Sequence, residues 1–446
     1  MNVPKRFWIY LRSSFWFMPS LIVAGSIALA LGLIEADSMI GDDALARWPR
    51  LFGAGADGGR EMLSTIAASM MAVVGVTFSM TLVALSLASS QYTSRVLGNF
   101  MRSRVTQAVL GIFGGIFTYC LIVLRTIRGG DEAFVPSLAI SVGVLLALAG
   151  VGVLILFIHH IATSIQASNI ICSIADETLT AIDRVFAENT AQAQEDGGVQ
   201  SLQALVERDL DWQIVPAGES GYIQSVDYSK LLCFACDHAV ILQMNHGIGE
   251  FVVKNTALAS IALDQPLDKE TIEAIRSFYS VNSRRTIEQD PAFGIRQLVD
   301  VALKALSPGV NDTTTAVTCI NYLTVILSYL APRQFPSQHL YGEGELRVIT
   351  IFPPFESLLA ASFDEIRDSA KGNLAVMSCI LGSLKTFATL TSATRRRGAI
   401  REQAQWISEL ANRTLEFAHE RELIDNRLAN VYKTLEDEPR LEEDSE

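Results

Sequence analysis

The segment VGVTFSMTLVALSLASSQYTSR, from Val74 to Arg95, sets the fold class of this chain because it is apolar enough to enter a lipid bilayer. It ends an uncharged run of 33 residues between Glu61 and Arg95. A transmembrane helix needs roughly 20 apolar residues, and such a run would reach about 50 Å as a helix, beyond a bilayer core of about 30 Å. The sequence therefore predicts a membrane helix that tilts strongly or projects into the cytoplasm.

Hydroxyl and other small side chains mark one face of this predicted helix. Steps of three and four residues align Ala72, Gly75, Ser79, Leu82, Ser86, Ser89 and Thr93, of which only Leu82 is bulky. The opposite side, with Met70 and Phe78, suits lipid or a bulkier neighbour. The small face allows close packing of helices, within one subunit or between subunits. Alternatively it lines a permeation path, because hydroxyls replace part of an ion's hydration shell. The pore-lining candidates are then Ser79, Ser86, Ser90 and Thr93.

Four segments are long and apolar enough to span a membrane: Phe15–Ile34, Met62–Ser90, Val105–Leu124 and Val135–Ile161. Their interiors contain no Asp, Glu, Lys or Arg, which argues against a proton-coupled transporter, since such proteins keep an ionisable group at depth. Small residues also line the third span, at Gly111 and Gly115, and the fourth, at Ala139, Gly143, Ala147 and Gly150. Small faces on three spans predict a homo-oligomer within the lipid bilayer.

Charge is distributed unevenly along the 446 residues. Up to Thr163 there are 11 Lys or Arg and 8 Asp or Glu, a net charge of +3, and after it 24 and 40, a net charge of −16. The acidic part argues against nucleic acid as a partner. Basic residues before the first span and after the second place both termini in the cytoplasm. A cleaved signal over residues 1–36 is an alternative, since Ala28-Leu29-Ala30 resembles a cleavage site.

These features predict an α-helical membrane protein with four transmembrane helices and a cytoplasmic α+β domain. The predicted divisions are a transmembrane domain (1–163), a helical connector (164–218), a small β module (219–265), a helical cytoplasmic domain (266–434) and an acidic tail (435–446). The β module resembles a barrel-sandwich of the lipoyl-like type and includes a hairpin turning at Gly247 and Gly249. Helices are expected from Leu267 onward, including Glu356–Ser392 and Ala399–Thr434. Arg395–Arg397 between them is expected to be a solvated loop, with contact to lipid headgroups or an acidic partner surface as the alternative.

A helix–turn–helix corner between Gln289 and Val317 provides the second group of candidate residues. On a helix predicted from about Ala292 to Leu306, the spacing of Arg296, Asp300 and Lys304 permits a ladder of ion pairs. Asn311 or Asp312 is expected to cap the next helix, whose free backbone amides suit an anion. These five residues are candidates for ligand or gating contacts, or they form a structural corner held by caps and charges.

Catalytic motifs were sought and not found in the sequence. It has no Gly-rich phosphate loop, HExxH motif or Gly-x-Ser-x-Gly elbow. Cys233-Phe-Ala-Cys236 is a lone CxxC, for which zinc binding or redox chemistry is the alternative to two ordinary cysteines on a half-buried helix. The six scattered cysteines do not form a secreted disulfide framework. We expect no enzymatic activity, no cofactor and no metal.

Three segments together resemble a bacterial family of predicted membrane proteins, catalogued as domain-of-unknown-function family 2254: FSMTLVALSLASSQYTSR, SGYIQSVD followed by GEFV, and GIRQLVDVALKALSPGVNDTTTA. The resemblance covers nearly the whole chain, although members usually have proline where this chain has Thr313. It implies a multi-pass protein of the bacterial inner membrane.

The functional hypothesis is an oligomeric ion channel for a small ion. Its Ser/Thr-lined pore is formed by the second transmembrane helices and gated by the cytoplasmic domain. The alternative is a non-conducting membrane scaffold or sensor whose cytoplasmic domain binds a protein or an unknown small ligand.

Overall fold

The computed structural model describes residues 16–39, 55–91, 104–128, 134–164, 166–190, 211–263 and 265–437. The chain forms two compact units, Met1–Asn169 and Ile170–Glu446. In the first unit the described residues form four helices: α1 (Phe17–Met39), α2 (Ala56–Gln91), α3 (Arg104–Thr126) and α4 (Ser137–Ser164). Each overlaps one of the four predicted spans, so these segments are confirmed as helices. The predicted acidic tail, apart from its first residues, lies outside the described residues.

Helix α3 is the centre of the first unit and packs against α1, α2 and α4. Half of its most apolar stretch is buried, against 6% for α1. Gly111 and Gly115 allow α1 to approach closely, because a Cβ atom at Gly111 would lie 2.9 Å from the Cα atom of Pro19. On α4, Gly143 packs against Leu63 and Tyr119. The small faces of α3 and α4 are therefore used for packing within the chain.

Polar contacts join the helices at one end of this unit. The buried Asp37 carboxylate, in the last turn of α1, accepts hydrogen bonds from two backbone N–H groups in the first turn of α4, at 3.0 and 3.1 Å. The Tyr119 hydroxyl donates to the Ala139 carbonyl at 2.7 Å, and Arg60 Nη2 donates to the Ile127 carbonyl at 2.9 Å. The Asp37 bonds satisfy two N–H groups that lack intrahelical partners in the first turn of α4.

The second unit contains two sheets and helices on the C-terminal side. Its first part comprises α5 (Ala167–Thr190), β1 (Trp212–Pro216), β2 (Gly221–Val226), α6 (Tyr228–Asp237), β3 (Ile241–Met244), β4 (Phe251–Val252), β5 (Ala257–Ala262), α7 (Lys269–Ser277) and β6 (Tyr279–Asn282). It continues with α8 (Pro291–Leu306), α9 (Thr313–Leu330), β7 (His339–Gly342), β8 (Glu345–Ile349), α10 (Phe355–Ser369), α11 (Leu374–Leu390), α12 (Thr394–Thr414) and α13 (Ala418–Glu436).

The strands form a five-stranded sheet in the order β1-β5-β3-β8-β7 and a three-stranded sheet in the order β4-β2-β6. Strand β3 is the central strand of the five and pairs antiparallel with β5, which is almost wholly buried, and in parallel with β8. The predicted hairpin at Gly247 and Gly249 is wrong, because both edges of β3 are occupied and β4 pairs with β2 in the other sheet. A separate barrel-like module over 219–265 is not confirmed, since strands between 212 and 349 build these sheets.

The prediction of helix from Leu267 onward is also wrong at β6, β7 and β8. These strands have four or five residues, too short for hydrophobic periodicity to distinguish from helix. The single helix predicted over Glu356–Ser392 is two helices, interrupted where Gly372 adopts a positive φ of 71° and Asn373 caps α11. The helix predicted over Ala399–Thr434 is likewise divided into α12 and α13.

Five described helices are long and apolar enough to cross a membrane by length and composition: α1 to α4 and, in the second unit, α9. The sequence pattern predicts four spans, because Thr313–Leu330 is the shortest and least apolar of the five. Helix α9 packs against α8 and α11. Its Thr324 hydroxyl lies 2.6 Å from that of Ser383, and Asn373 donates to the Thr313 hydroxyl at 2.9 Å.

Candidate functional site

One side of α2 is buried within the first unit. Leu63, Ala67, Met70, Thr77 and Ala84 are all at most 7% exposed. The hydroxyls of Thr77 and Thr81 donate hydrogen bonds to backbone carbonyls of α2 itself. Met70 on the bulky side is therefore covered within the chain, whereas Phe78 on the same side is 49% exposed.

The opposite, small-residue side of α2 is uncovered. Ser79 and Ser86 are exposed, and in the part of the chain that the structure describes neither hydroxyl has a hydrogen-bond partner. Nothing lies within 4 Å of a Cβ atom added at Gly75. The third pore-lining candidate, Ser90, is in α2, but its side chain and the whole of Thr93 lie outside the described residues. Two of the four candidates are thus placed together on one open face.

A shallow groove of about 540 Å³ includes Gly75 and Ser79 of this open face and reaches Ile161 of α4, but Ser86 is not among its lining residues. Its lining is uncharged and mostly apolar: Ala72, Gly75, Val76, Ser79, Met80, Val83, Ala84, Leu87 and Ile161. Helices α3 and α4 place Gly111, Gly115, Gly143 and Gly150 against other helices of the same unit. Of the three small faces expected from sequence to join subunits, only that of α2 remains available. We call it the α2 face below.

Ion pairs of Arg296 connect residues of the helix–turn–helix corner to each other and to α10. Arg296 Nε donates to Asp300 Oδ1 at 2.7 Å, and the Arg296 guanidinium also holds both carboxylate oxygens of Glu365 on α10. Hydrogen bonding to Arg296 lowers the pKa of Glu365, and that to Glu365 raises the pKa of Arg296. Glu365 was not found from the sequence, because it is 69 residues away from its partner. Lys304 forms no ion pair with any described residue.

The turn after α8 confirms the predicted helix start. Asp312 is the N-cap of α9, and its carboxylate accepts from the Thr315 backbone N–H at 3.0 Å and from its hydroxyl at 2.6 Å. These bonds lower the pKa of Asp312. Asn311 precedes it with a positive φ of 49°, a conformation that asparagine tolerates. The Asp312 carboxylate therefore already occupies the Thr315 amide at this helix end and places a negative charge there.

The basic triplet at residues 395–397 is not the solvated loop predicted from sequence. It lies in the first turn of α12. Arg396 donates to the carbonyls of Ala331 and Arg333, at 2.5 and 2.9 Å, and its guanidinium lies 5.0 Å from the centre of the Phe335 ring. Burial lowers the pKa of Arg396. Its neighbour Arg397 donates to carbonyls at the ends of α11 and α13. Both arginines therefore cap helix ends.

The CxxC motif lies on α6. Cys233 is exposed and its thiol lies 3.5 Å from the Asp237 carboxylate, which raises the pKa of the thiol and so disfavours the reactive thiolate. Within the described residues no group of three His, Cys, Asp or Glu side chains is arranged to hold a metal ion. Neither zinc nor redox chemistry is supported at this helix.

Comparison with known proteins identifies the family. The family described as "Predicted membrane protein (DUF2254)" matches residues 12–386, which include all of the helices α1 to α10 and every strand. The chain belongs to this family. The resemblance inferred from its three sequence segments is therefore confirmed. No solved structure gives a significant match.

Relatives are found among mycobacterial proteins. An uncharacterized protein of Mycobacterium tuberculosis (strain CDC 1551 / Oshkosh) is 30% identical over 430 residues, covering 94% of this chain and 80% of the relative. An uncharacterized protein of Mycobacterium bovis is 29% identical with the same coverage. Membership of this family supports a membrane protein with several apolar helices. The function of the α2 face has to be inferred from its structure.

Proposed function

We propose that this protein is an oligomer of the bacterial inner membrane in which α2 helices of several copies surround a pore for small ions. The observation that carries the proposal is the uncovered α2 face, where the Ser79 and Ser86 hydroxyls have no partner in the part of the chain described. Polar groups without partners are costly in lipid, whereas water or a neighbouring helix satisfies them. An assembly with this face inward places the hydroxyls where ions exchange part of their hydration shell.

The proposed topology has four spans, α1 to α4, with both termini in the cytoplasm. Helix α9 is assigned to the cytoplasmic unit, because its 18 residues rise only about 27 Å and its ends carry polar contacts. At its end, Tyr329 and Arg333 both donate to Asp183 of α5. Retention of α1 is supported by its close packing against α3 and by the Asp37 bonds to α4. The second unit is assigned the gating role, and no catalytic activity is proposed.

A non-conducting scaffold or sensor is the alternative, in which the second unit binds a protein or small ligand. The apolar walls of the groove along the α2 face favour it, since Val76 and Val83 are about half exposed and suit a packed helix better than water. In that arrangement the two serine hydroxyls bond across a helix–helix contact, which contributes about 1 kcal/mol or less per bond.

Ion flux into liposomes containing the purified full chain tests the proposal. Wild type is expected to conduct and Ser86→Leu to block flux while the oligomer stays intact, because leucine removes the hydroxyl and narrows the path. Gly152→Leu is the matched control, since a Cβ atom there also meets nothing within 4 Å but lies on α4, away from the groove. Absence of flux for cations and anions alike in wild type would refute the pore and leave the scaffold.

Reaction of introduced cysteines distinguishes water from lipid at the same positions. Ser79→Cys and Ser86→Cys are expected to react with membrane-impermeant thiol reagents in the assembled protein. Leu148→Cys, on a side chain of α4 that is 64% exposed in one chain, is expected to face lipid and not to react. Inert cysteines at 79 and 86 in an intact oligomer would indicate a packed interface.

A further inference from the structure

A second groove of the first unit lies between the last turns of α1 and α3. It has a volume of about 580 Å³ and combines apolar walls with basic side chains: Leu31, Ile34, Ile122, Arg125, Thr126, Arg128 and Phe134. On α3, steps of three and four residues place the lining side chains on one face. The backbone groups of Arg128 and Phe134 bond to each other at 3.1 and 3.2 Å, which fixes the rim beyond the helix end.

The two arginines of this groove carry charge that no described carboxylate neutralises. Arg125 and Arg128 are exposed, and neither forms an ion pair with a described residue. Glu35, next to Ile34, forms none with them, and Arg60 at the same end is engaged by the Ile127 carbonyl. Two guanidinium groups at the mouth of an apolar groove therefore present positive charge, unpaired by any described carboxylate, next to apolar surface.

We infer that this groove binds the headgroup and upper acyl chain of an anionic phospholipid. Guanidinium groups hold a phosphate through paired, charge-assisted hydrogen bonds. The walls formed by Leu31, Ile34 and Ile122 are covered by a hydrocarbon chain, which a free phosphate lacks. A zwitterionic lipid would bring its own cation towards Arg125 and Arg128. Only an amphiphile with net negative charge satisfies both the arginines and the walls.

None of the groove's lining belongs to α2, so this lipid site is independent of the proposed pore. A protein that conducts nothing would still bind the lipid, and a pore without bound lipid would still conduct. The site lies on α1 and α3, whose close contact at Gly111 and Gly115 forms the base of the unit's packing. A bound lipid would reinforce this contact at its outer end.

Native mass spectrometry of the purified full chain tests the inference with three probes: phosphatidylglycerol, phosphatidylcholine with the same acyl chains, and inorganic phosphate alone. Wild type is expected to retain phosphatidylglycerol preferentially. An arginine near a lipid surface contributes about fivefold in affinity, so Arg125→Gln or Arg128→Gln is expected to weaken retention about fivefold and the double variant about 30-fold. Arg104→Gln, an exposed arginine at the opposite end of α3, is the control and should bind as wild type.

Several results would overturn the lipid site, including one that needs no variant. Equal retention of phosphatidylglycerol and phosphatidylcholine by wild type would show that the arginines do not select lipids of net negative charge. Unchanged binding by the double variant, or an equal loss in Arg104→Gln, shows that the charge at this groove is not used. Displacement of phosphatidylglycerol by inorganic phosphate at millimolar concentration would indicate a phosphate site without a role for the apolar walls.

Discussion

Replacing Gly75 by leucine should weaken self-association without unfolding the chain. In a single copy a Cβ atom at Gly75 meets nothing within 4 Å, and the same is true at Gly152 on α4. Both substitutions add the same atoms to an open helix face, and both remove a helical glycine, so their effects on the isolated chain should match. The two positions differ only in that Gly75 lies on the α2 face.

The expected loss of association free energy follows from the leucine side chain that must be accommodated where the α2 faces of two copies meet. Overpacking a close contact costs about 1–3 kcal/mol, which corresponds to about a 5-fold to 150-fold weaker association at each interface. Gly152→Leu should leave association unchanged, because Gly152 lies on α4 and does not line the groove along α2. Thermal unfolding of both variants in detergent should resemble that of wild type, which separates a lost interface from a lost fold.

Sedimentation or light scattering in detergent, with photobleaching counts in liposomes, measures the assembly. The expected order of oligomer stability is wild type equal to Gly152→Leu and both above Gly75→Leu. A monomeric wild type would refute the use of the α2 face for assembly. So would a Gly75→Leu protein that assembles as tightly as Gly152→Leu, since four added carbon atoms cannot be neutral in a close helix contact.

Two further predictions concern the second unit, and both are measured by thermal or denaturant unfolding of the full chain. Arg285→Ala should destabilise the protein by about 3–5 kcal/mol, because Asp290 is 3% exposed and its carboxylate, held by Arg285 at 2.7 and 2.9 Å, would lose its charged partner. Arg184→Ala removes an exposed ion pair and should cost under about 1 kcal/mol. Similar losses of stability in the two variants would contradict this reasoning. The pKa of Glu365 is lowered in the folded state by Arg296, so its stabilisation is complete above the unfolded pKa of about 4.3 and is lost as pH falls through the lower folded value. Glu365→Gln should therefore reduce the loss of stability in acid, and an unchanged acid limb would exclude the contribution of this pair.

The sequence contained enough to locate α2 and its two faces, because hydrophobicity, length and three–four spacing are local properties. It did not show which face packs within the chain, since that depends on where α3 and α4 place their own small residues. Gly111 and Gly115 were expected to join subunits, but in the structure they accommodate α1.

Contacts between residues distant in sequence also could not be predicted from the sequence. Arg296 was correctly paired with Asp300 one helical turn away, whereas Glu365 comes from α10. The hydrophobic pattern of β7 and β8 is too short to indicate strands, and the pairing of β8 with β3 joins positions about a hundred residues apart in sequence. The arginines at 396 and 397 looked like a charged loop because their partners, carbonyls at three helix ends, leave no sequence signature.

The contact of Asp37 with the first turn of α4 has a consequence for biogenesis. Helix α1, which is synthesised before α4, carries the carboxylate that accepts hydrogen bonds from the first turn of α4, at residues 138 and 139. Until α1 is docked, these two amide groups in the first turn of α4 lack the Asp37 carboxylate as a partner. Deletion of α1 is therefore expected to destabilise the start of α4, about a hundred residues downstream. The four helices are expected to reach their final packing together, with α4 complete only after α1 has docked.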